Sequence, residues 1–333
     1  MKNITIADVA KHASVSKSTV SQYLNKRYDY MGEKTKERIR ESIEELGYQP
    51  NIIARSLKQK STSTIGVIVA NILHAFSTQV IRTIEDICHQ EDFHLIVCNA
   101  DNDPEKEKKY IEMLRAKQVD GLIIFPTGGN VDLYQKMVVS KFPLVFVDRI
   151  VNEVSVPSIM LDNEMAMKLA TDYLVDIGYE RIAFITNSIH RNITPRIERV
   201  NSFQKALVAR NITVNQSYIK TSELENVQSV LEEMLSQQNP PNAMIAGNDL
   251  TLIEVLKYAK ERQLNIPDDL AVIGIDDVSF ASFYTPELTT ISQPTSEMGR
   301  KAALLLLEKI KNEQSVCDEI FRFEPTLNIR NSC

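Results

Sequence analysis

The chain has 333 residues, with 38 Lys+Arg against 44 Asp+Glu and a formal net charge of −6. That length exceeds one compact core and predicts two or three domains. No stretch approaches the roughly 20 apolar residues of a membrane span, residues 1–20 lack the apolar run of a secretory leader, and Cys88, Cys98, Cys317 and Cys333 show no paired or metal-ligating spacing.

The cysteine usage predicts reduced thiols in a cytoplasmic protein. The overall charge hides an asymmetry. Residues 1–60 hold 12 basic against 7 acidic side chains, whereas the other 273 hold 26 against 37. A basic head on an acidic body suits a protein whose head meets phosphate while the body stays off it.

In chain order, ITIADVAKHASVSKSTVSQYLN (4–25) reads as two short helices joined by a tight turn. Thr5 with Asp8 three residues on forms a capping box, and Ile6, Val9, Ala10 and Ala13 make one apolar stripe. Ser14 and Val15 form the turn, Ser16 caps the second helix, and Val20 and Leu24 point inward. Lys17, Ser18, Ser21, Gln22 and Asn25 are left on the outer face, all able to hydrogen-bond bases or phosphates. A helix-turn-helix sets the start of its second helix in the major groove. The segment alone also fits a helical pair packed on something larger.

EKTKERIRESIEEL (33–46) predicts a third helix, with Ile39, Ile43 and Leu46 on one side and Gly47 as its C-terminal cap. Pro50 can start a helix but not sit inside one, so 51–57 would be about two turns, too short to stand alone in water. A polar linker follows to residue 64.

From Thr64 onward, near-continuous apolar strands alternate with amphipathic helices. Strands are expected at 65–70, 94–99, 121–125 and 144–148, then at 181–186, 243–246 and 270–275. Helices are expected at 76–90, 104–117, 164–177, 199–209, 223–236 and 249–262. The pattern argues for parallel sheets covered on both faces, and two such series suggest two similar lobes.

ADVAKHASVSKSTVSQYLN, a third helix and YQPNIIARSL together resemble the LacI/GalR family of bacterial transcription regulators. STIGVIVANILHAF, VDGLIIFP, PLVFVDR, MIAGNDL, LAVIGIDD, PELTTISQP, MGRKAALLLLEKI and PTLNIRNSC follow in family order, so the likeness spans residues 4–332. It implies an α/β fold: an N-terminal all-α helix-turn-helix head and a periplasmic-binding-protein-like body of two doubly wound parallel-sheet lobes. The implied domains are 1–50 (head), 51–63 (hinge helix and linker) and 64–333 (effector and dimerisation body). Within the body, the N-lobe takes 64–161 and 293–323, and the C-lobe 162–292 and 324–333.

The resemblance assigns base contacts to Lys17, Ser18 and Gln22, and a minor-groove wedge to Leu57. Thr5, Ser16, Thr19, Ser21, Asn25 and Asn51 become phosphate contacts, which fix register without reading sequence. Gln22 stands where most relatives carry arginine, and glutamine pairs best with adenine N6/N7, so a different half-site is expected. Ser14 replaces the usual turn glycine.

In the body, the resemblance places an effector on Phe76, Asp148, Arg199, Asn248, Asp276 and Gln293, with His74, Ser77 and Arg196 as further candidates. Such a set suits a polyol, carboxylates and amides taking hydroxyls while an aromatic face covers the ring. Asn248 and Asp276 equally fit strand-end and turn roles. Arg149, Arg191, Arg196 and Arg199 lie near strand ends; Arg149 and Arg191 are expected as solvated surface charges. If two of the four face the cleft, the ligand carries a carboxylate or phosphate. SKSTVSQYLNKRYDYM looks close to the KdgR branch, which implies 2-keto-3-deoxygluconate.

The expectation is a homodimeric repressor on a pseudo-palindromic duplex operator, released by a sugar or sugar acid. The chain shows no heptad-bearing tail after PTLNIR, which favours dimer over tetramer. A transport-type sugar receptor and a corepressor-type regulator are the alternatives. No G-x-G-x-x-G follows the first strand, there is no P-loop or G-x-S-x-G, and the five histidines are scattered. No enzyme activity, cofactor, metal or membrane partner is expected.

Overall fold

The computed structural model describes residues 4–29, 31–49, 61–311 and 319–333. The expected hinge helix, with Asn51 and Leu57, and Cys317 lie outside the described residues. The chain divides into two units, Met1–Thr62 and Ser63–Cys333.

Among its described residues the first unit holds three helices, α1 (Ile6–His12), α2 (Lys17–Leu24) and α3 (Glu33–Leu46). The Asp8 carboxylate accepts from both the Thr5 N–H and its hydroxyl, at 2.9 and 2.7 Å. Ser16 caps α2, its Oγ accepting from Thr19 N at 3.1 Å. Val9, Ala10, Ala13, Val20 and Ile39 form a buried core, with Leu24, Ile43, Leu46 and Tyr48 packed around it. Ser14 has φ +52°, so the turn holds a serine in the left-handed region that favours glycine. Gly47 ends α3 at φ +57°, as its position after the last apolar residue predicts.

The second unit contains two six-stranded sheets. The first comprises β1 (Thr64–Val69), β2 (His94–Asn99), β3 (Gly121–Ile124), β4 (Leu144–Val147), β5 (Ser158–Leu161) and β11 (Ile320–Phe323), in the order β11-β5-β4-β3-β1-β2. The second has β6 (Ile182–Asn187), β7 (Ile219–Ser222), β8 (Ala243–Ala246), β9 (Ala271–Ile275), β10 (Thr289–Ser292) and β12 (Thr326–Asn328), in the order β12-β10-β9-β8-β6-β7. Every pairing is parallel except β10 with β12.

Alternation along β1 explains the layering. Ile65, Val67 and Val69 pack on α4 (Ala75–Gln90) and α11 (Thr295–Lys311). Ile68 faces the other way, toward α5 (Pro104–Ala116) and α6 (Val131–Val139). In the second lobe α7 (Asn163–Asp176) and α8 (Thr194–Ala209) cover one face, and α9 (Val227–Leu235) and α10 (Asp249–Glu261) the other. Among the described residues the chain passes between the sheets after β5, after β10 and after β11.

Two helix starts differ from expectation. The α8 helix begins at Thr194, with Pro195 in its first turn, where its missing N–H costs nothing; Arg199 therefore sits more than a turn into the helix. The α9 helix starts at Val227, after a single tight turn at Leu224–Asn226. Strands β5, β7, β10 and β11 and helices α6 and α11 lie outside the expected elements. No helix among the described residues is long and apolar enough to cross a membrane.

Candidate functional site

In the head, Lys17, Ser18 and Gln22 are exposed on α2, whereas Thr19, Ser21 and Asn25 are half-buried. Several expected phosphate contacts also serve the helix itself. Ser16 Oγ lies 2.7 Å from Ser18 Oγ and 2.8 Å from Thr19 Oγ1, and Asn25 Nδ2 donates to Ser21 O at 2.7 Å. Lys17 at the start of α2 and Gln22 nearer its end thus project from a helix whose first turn is already capped.

In the body, Phe76, Asp148, Arg199, Asn248, Asp276, Gln293, His74, Ser77 and Arg196 all line one cavity of about 50 Å³ between the lobes. Ala70, Asn71, Phe125, Arg149, Ile193 and Pro195 complete the wall. The nine come from strand ends and helix starts because parallel sheets present their functional rim at the carboxyl ends of strands. Phe76 packs edge-on to Phe125, centroids 6.2 Å apart.

Asp276 lines the cavity with Arg199 and Asp249 near it. Asp276 follows β9 at φ +81° and accepts from Gln293 Nε2 at 2.6 Å. Its burial, and after it the charge of Asp249, raise its carboxyl above the ordinary range. Asp249 opens α10 and is itself buried. It accepts from His74 Nδ1 at 2.5 Å and from Ala75 N at 2.6 Å, a contact joining the two lobes. Burial alone would raise this carboxyl, but the hydrogen bond and charge of His74 and the N–H groups of Ala75 and Leu250 hold it below the ordinary range. Asn248 caps α10 by accepting from Thr251 N at 2.9 Å and donates to Asn187 Oδ1 at 2.6 Å. Its strand-end role is therefore filled whether or not it also meets a ligand. Gln293 Oε1 is buried and unpartnered.

Two more arginines line the cavity, Arg149 and Arg196. Arg149 is buried and lines the cavity, which corrects its expected place as a solvated surface charge. It donates to Pro126 O at 2.9 Å and Asn102 Oδ1 at 3.0 Å. Its burial lowers its pKa, opposed by Asp148 and by Glu107 beneath it. Arg196 donates to Ser188 O at 2.5 Å. Burial, and then repulsion from Arg149, bring it down to about 10. Arg191 is exposed and donates to Asn102 O across the mouth at 2.6 Å, in line with its expected exposure. Beside it, a Cβ on Gly128 (φ +88°) would stand 2.3 Å from Arg191 O, so the lobes meet there backbone to backbone.

Arg199 is held from behind. Its Nε donates to Asn163 Oδ1 at 2.8 Å and one terminal nitrogen to Gly247 O at 2.7 Å. Asn163 Nδ2 donates to Glu198 Oε2 at 2.7 Å. Glu198 in turn takes both terminal nitrogens of Arg322 on β11, at 3.1 and 2.6 Å. A cavity arginine is thereby wired to an ion pair spanning the lobes. Sequence reasoning placed Arg149 at the surface and missed Asp249, Asn163 and Glu198; of these only Asp249, just after a strand end, carried a local signal.

A family model described as bacterial regulatory proteins, lacI family, matches residues 5–51. A periplasmic binding protein-like domain matches residues 171–333. The probable HTH-type transcriptional regulator EndR of Paenibacillus polymyxa is 48% identical over 332 residues, 98% of each chain. The HTH-type transcriptional regulator KdgR of Bacillus subtilis (strain 168) is 33% identical over 316 residues, 93% of this chain and 92% of that one. A Lac repressor structure bound to ONPG in the repressed state is 25% identical, with a TM-score of 0.84 and full coverage of both chains.

Proposed function

Because this chain belongs to the LacI family of bacterial regulatory proteins, we propose that it is a sequence-specific DNA-binding transcriptional repressor of a carbohydrate-utilisation operon. It works in the cytoplasm as a homodimer on a near-palindromic operator. Lys17, Ser18 and Gln22 read base edges in the major groove, while Thr5, Ser16, Thr19, Ser21, Asn25 and Asn51 hold phosphates and Leu57 wedges a central base step. The body binds a small sugar or sugar acid through Phe76, Asp148, Arg199, Asn248, Asp276 and Gln293, with His74, Ser77 and Arg196 beside them. 2-Keto-3-deoxygluconate is the member of that class implied by the KdgR likeness.

The ligand releases the operator only if it binds the released state more tightly than the DNA-bound one. A hundredfold loss of operator affinity needs about 2.7 kcal/mol of coupling. Corepression is the same device with the opposite sign. The observation that carries this reading is convergence: nine residues, spread from position 74 to 293, line one inter-lobe cavity in a chain whose first residues form a capped helix-turn-helix. A transport-type receptor has no use for that head.

The test is selection of bound duplexes from random DNA, followed by competition with genomic fragments. Enrichment of a palindrome with adenine at the position read by Gln22 is expected, moving toward guanine in Gln22→Arg. Leu57→Ala should weaken specific binding and DNA bending while sparing non-specific binding. A chain that prefers no duplex over genomic competitor sinks the proposal.

A further inference from the structure

We propose that Arg330 is a positioning residue of the effector site: bound to Asp277 and to β10, it locks the turn after β9 and so aims the Asp276 carboxylate into the cavity. The inference rests on the cavity being the effector site and extends that site to a residue outside its lining.

The turn needs holding. Asp276 has φ +81°, a conformation strained for any residue but glycine, which persists only where its surroundings over-determine it. Two backbone bonds pin it: Asp276 N donates to Ile291 O at 2.9 Å, and Val278 N donates to Asp276 O at 3.1 Å. Between them stands Asp277, and Arg330 fixes it. Nη1 of Arg330 donates to Asp277 Oδ1 at 2.9 Å and Nη2 to Oδ2 at 3.3 Å, a two-point grip on one carboxylate. The same Nη1 also reaches Leu288 O at 2.6 Å and Thr290 Oγ1 at 3.0 Å. The Thr290 hydroxyl in turn donates to Asp277 Oδ1 at 2.6 Å.

Arg330 is itself anchored to the strands on which the turn hangs. Its N–H donates to Thr289 Oγ1 at 3.0 Å. Two residues on, Ser332 Oγ accepts from Thr289 N at 2.8 Å and donates to Val272 O at 2.6 Å. The grip is thus fastened to both β9 and β10. Gln293 sets the rotation of the Asp276 carboxylate by donating to Oδ1 at 2.6 Å, but it does not touch the turn that carries it. The first lobe offers an independent parallel. Asp148, at φ +67°, is followed by Arg149, which is tied to Pro126 O and Asn102 Oδ1 with the charge of Glu107 close by. Each lobe therefore fixes the residue after its left-handed aspartate, with the charges reversed.

The first test needs no ligand. In the full chain, carbon-13 NMR follows the titration of the Asp276 carboxyl, assigned through Asp276→Asn. Burial is the largest cause raising that carboxyl, ahead of Asp249, with Arg199, Gln293 and His74 opposing it. A turn loosened toward water should bring the titration down, whereas losing a nearby positive charge without loosening would push it up. Arg330→Gln is expected to bring it down; a rise or no change overturns the proposal. Arg330→Lys keeps the charge but not the two-point grip and should also bring it down. A titration equal to that of the wild type overturns the proposal, and this milder variant decides if Arg330→Gln does not fold. With 2-keto-3-deoxygluconate as probe, each folded variant should bind about tenfold more weakly or worse at unchanged operator affinity; equal probe affinity overturns the positioning role. Failure of the effector reading looks different: the probe leaves the melting temperature of the wild type unmoved, while the titration still falls in both variants.

Discussion

The two lobes follow one plan and deliver different chemistry. Strands β1 to β5 of the first correspond in sheet order to β6 to β10 of the second. Both β4 and β9 are followed by an aspartate of positive φ, Asp148 at +67° and Asp276 at +81°. Each donates its N–H to the neighbouring strand, Asp148 to Ile159 O at 2.8 Å and Asp276 to Ile291 O at 2.9 Å. The helix after the first strand of each sheet also faces the cavity, but α4 brings Phe76 and Ser77 where α8 brings Arg196 and Arg199. Next to one aspartate stands a buried arginine; near the other stands a second carboxylate. Backbone architecture thus sets where side chains arrive, and single residues decide the sign of the charge they bring.

The sharpest way to break this contrast is Arg149→Met. It strands the Asp148 and Glu107 charges without their buried cation and should destabilise the body by about 3–5 kcal/mol in urea denaturation. A loss near zero would mean that Arg149, Asp148 and Glu107 are not a balanced buried cluster. Gly128→Ala forces a side chain onto Arg191 O at positive φ and should cost about 1–3 kcal/mol, along with weaker ligand-induced stabilisation. Unaltered melting would show that the lobes do not meet there in solution.

Arg322→Ala removes an inter-lobe pair whose side chains are 39% and 24% exposed, so its stability cost should stay below about 1 kcal/mol. Because that pair orients Arg199 through Glu198 and Asn163, effector affinity should fall by more than stability does. Equal losses in titration and denaturation would separate Arg199 from the hinge side.

The smallest effect concerns Asp276 and Asp249. A carboxyl raised in the folded state, as Asp276 is, adds stability below the ordinary aspartate range and loses it as pH rises through the raised value. Asp249, lowered, adds stability above the ordinary range and loses it as pH falls through the lowered value. Asp276→Asn should therefore raise the melting temperature near neutral pH, and the gain should shrink as the solution is acidified through the carboxylate range. A pH-independent difference would sever the two carboxylates.

Much of the fold was readable because period and burial agree. Residues 94–99 and 243–246 read as strands and form β2 and β8, and Ser16, Gly47 and Pro104 mark helix ends as their chemistry requires. Strands β7 and β11 escaped because each lies at a sheet edge with few or none of its residues fully buried, so composition hardly distinguishes them from loop. Length is not the reason, since β3, β4 and β8 are equally short and were read. The cavity positions came from a family resemblance. The charges in and around it could not be read locally: nothing near Asp249 in sequence announces a partner 175 residues away, and Arg149 looks like any basic residue after a strand until the fold seals it in.

The returning ends of the sheets carry a consequence for synthesis. Strands β11 and β12 occupy one edge of each sheet and are made from residues 320–328, while α11 supplies Met298, Ala302, Leu305 and Leu306 to the N-lobe core. A nascent polypeptide therefore carries both lobes unfinished until residues 320–328 have left the ribosome, although its first three helices end by residue 46. Every new molecule thus passes through an interval in which the helical unit has all its elements while neither lobe does.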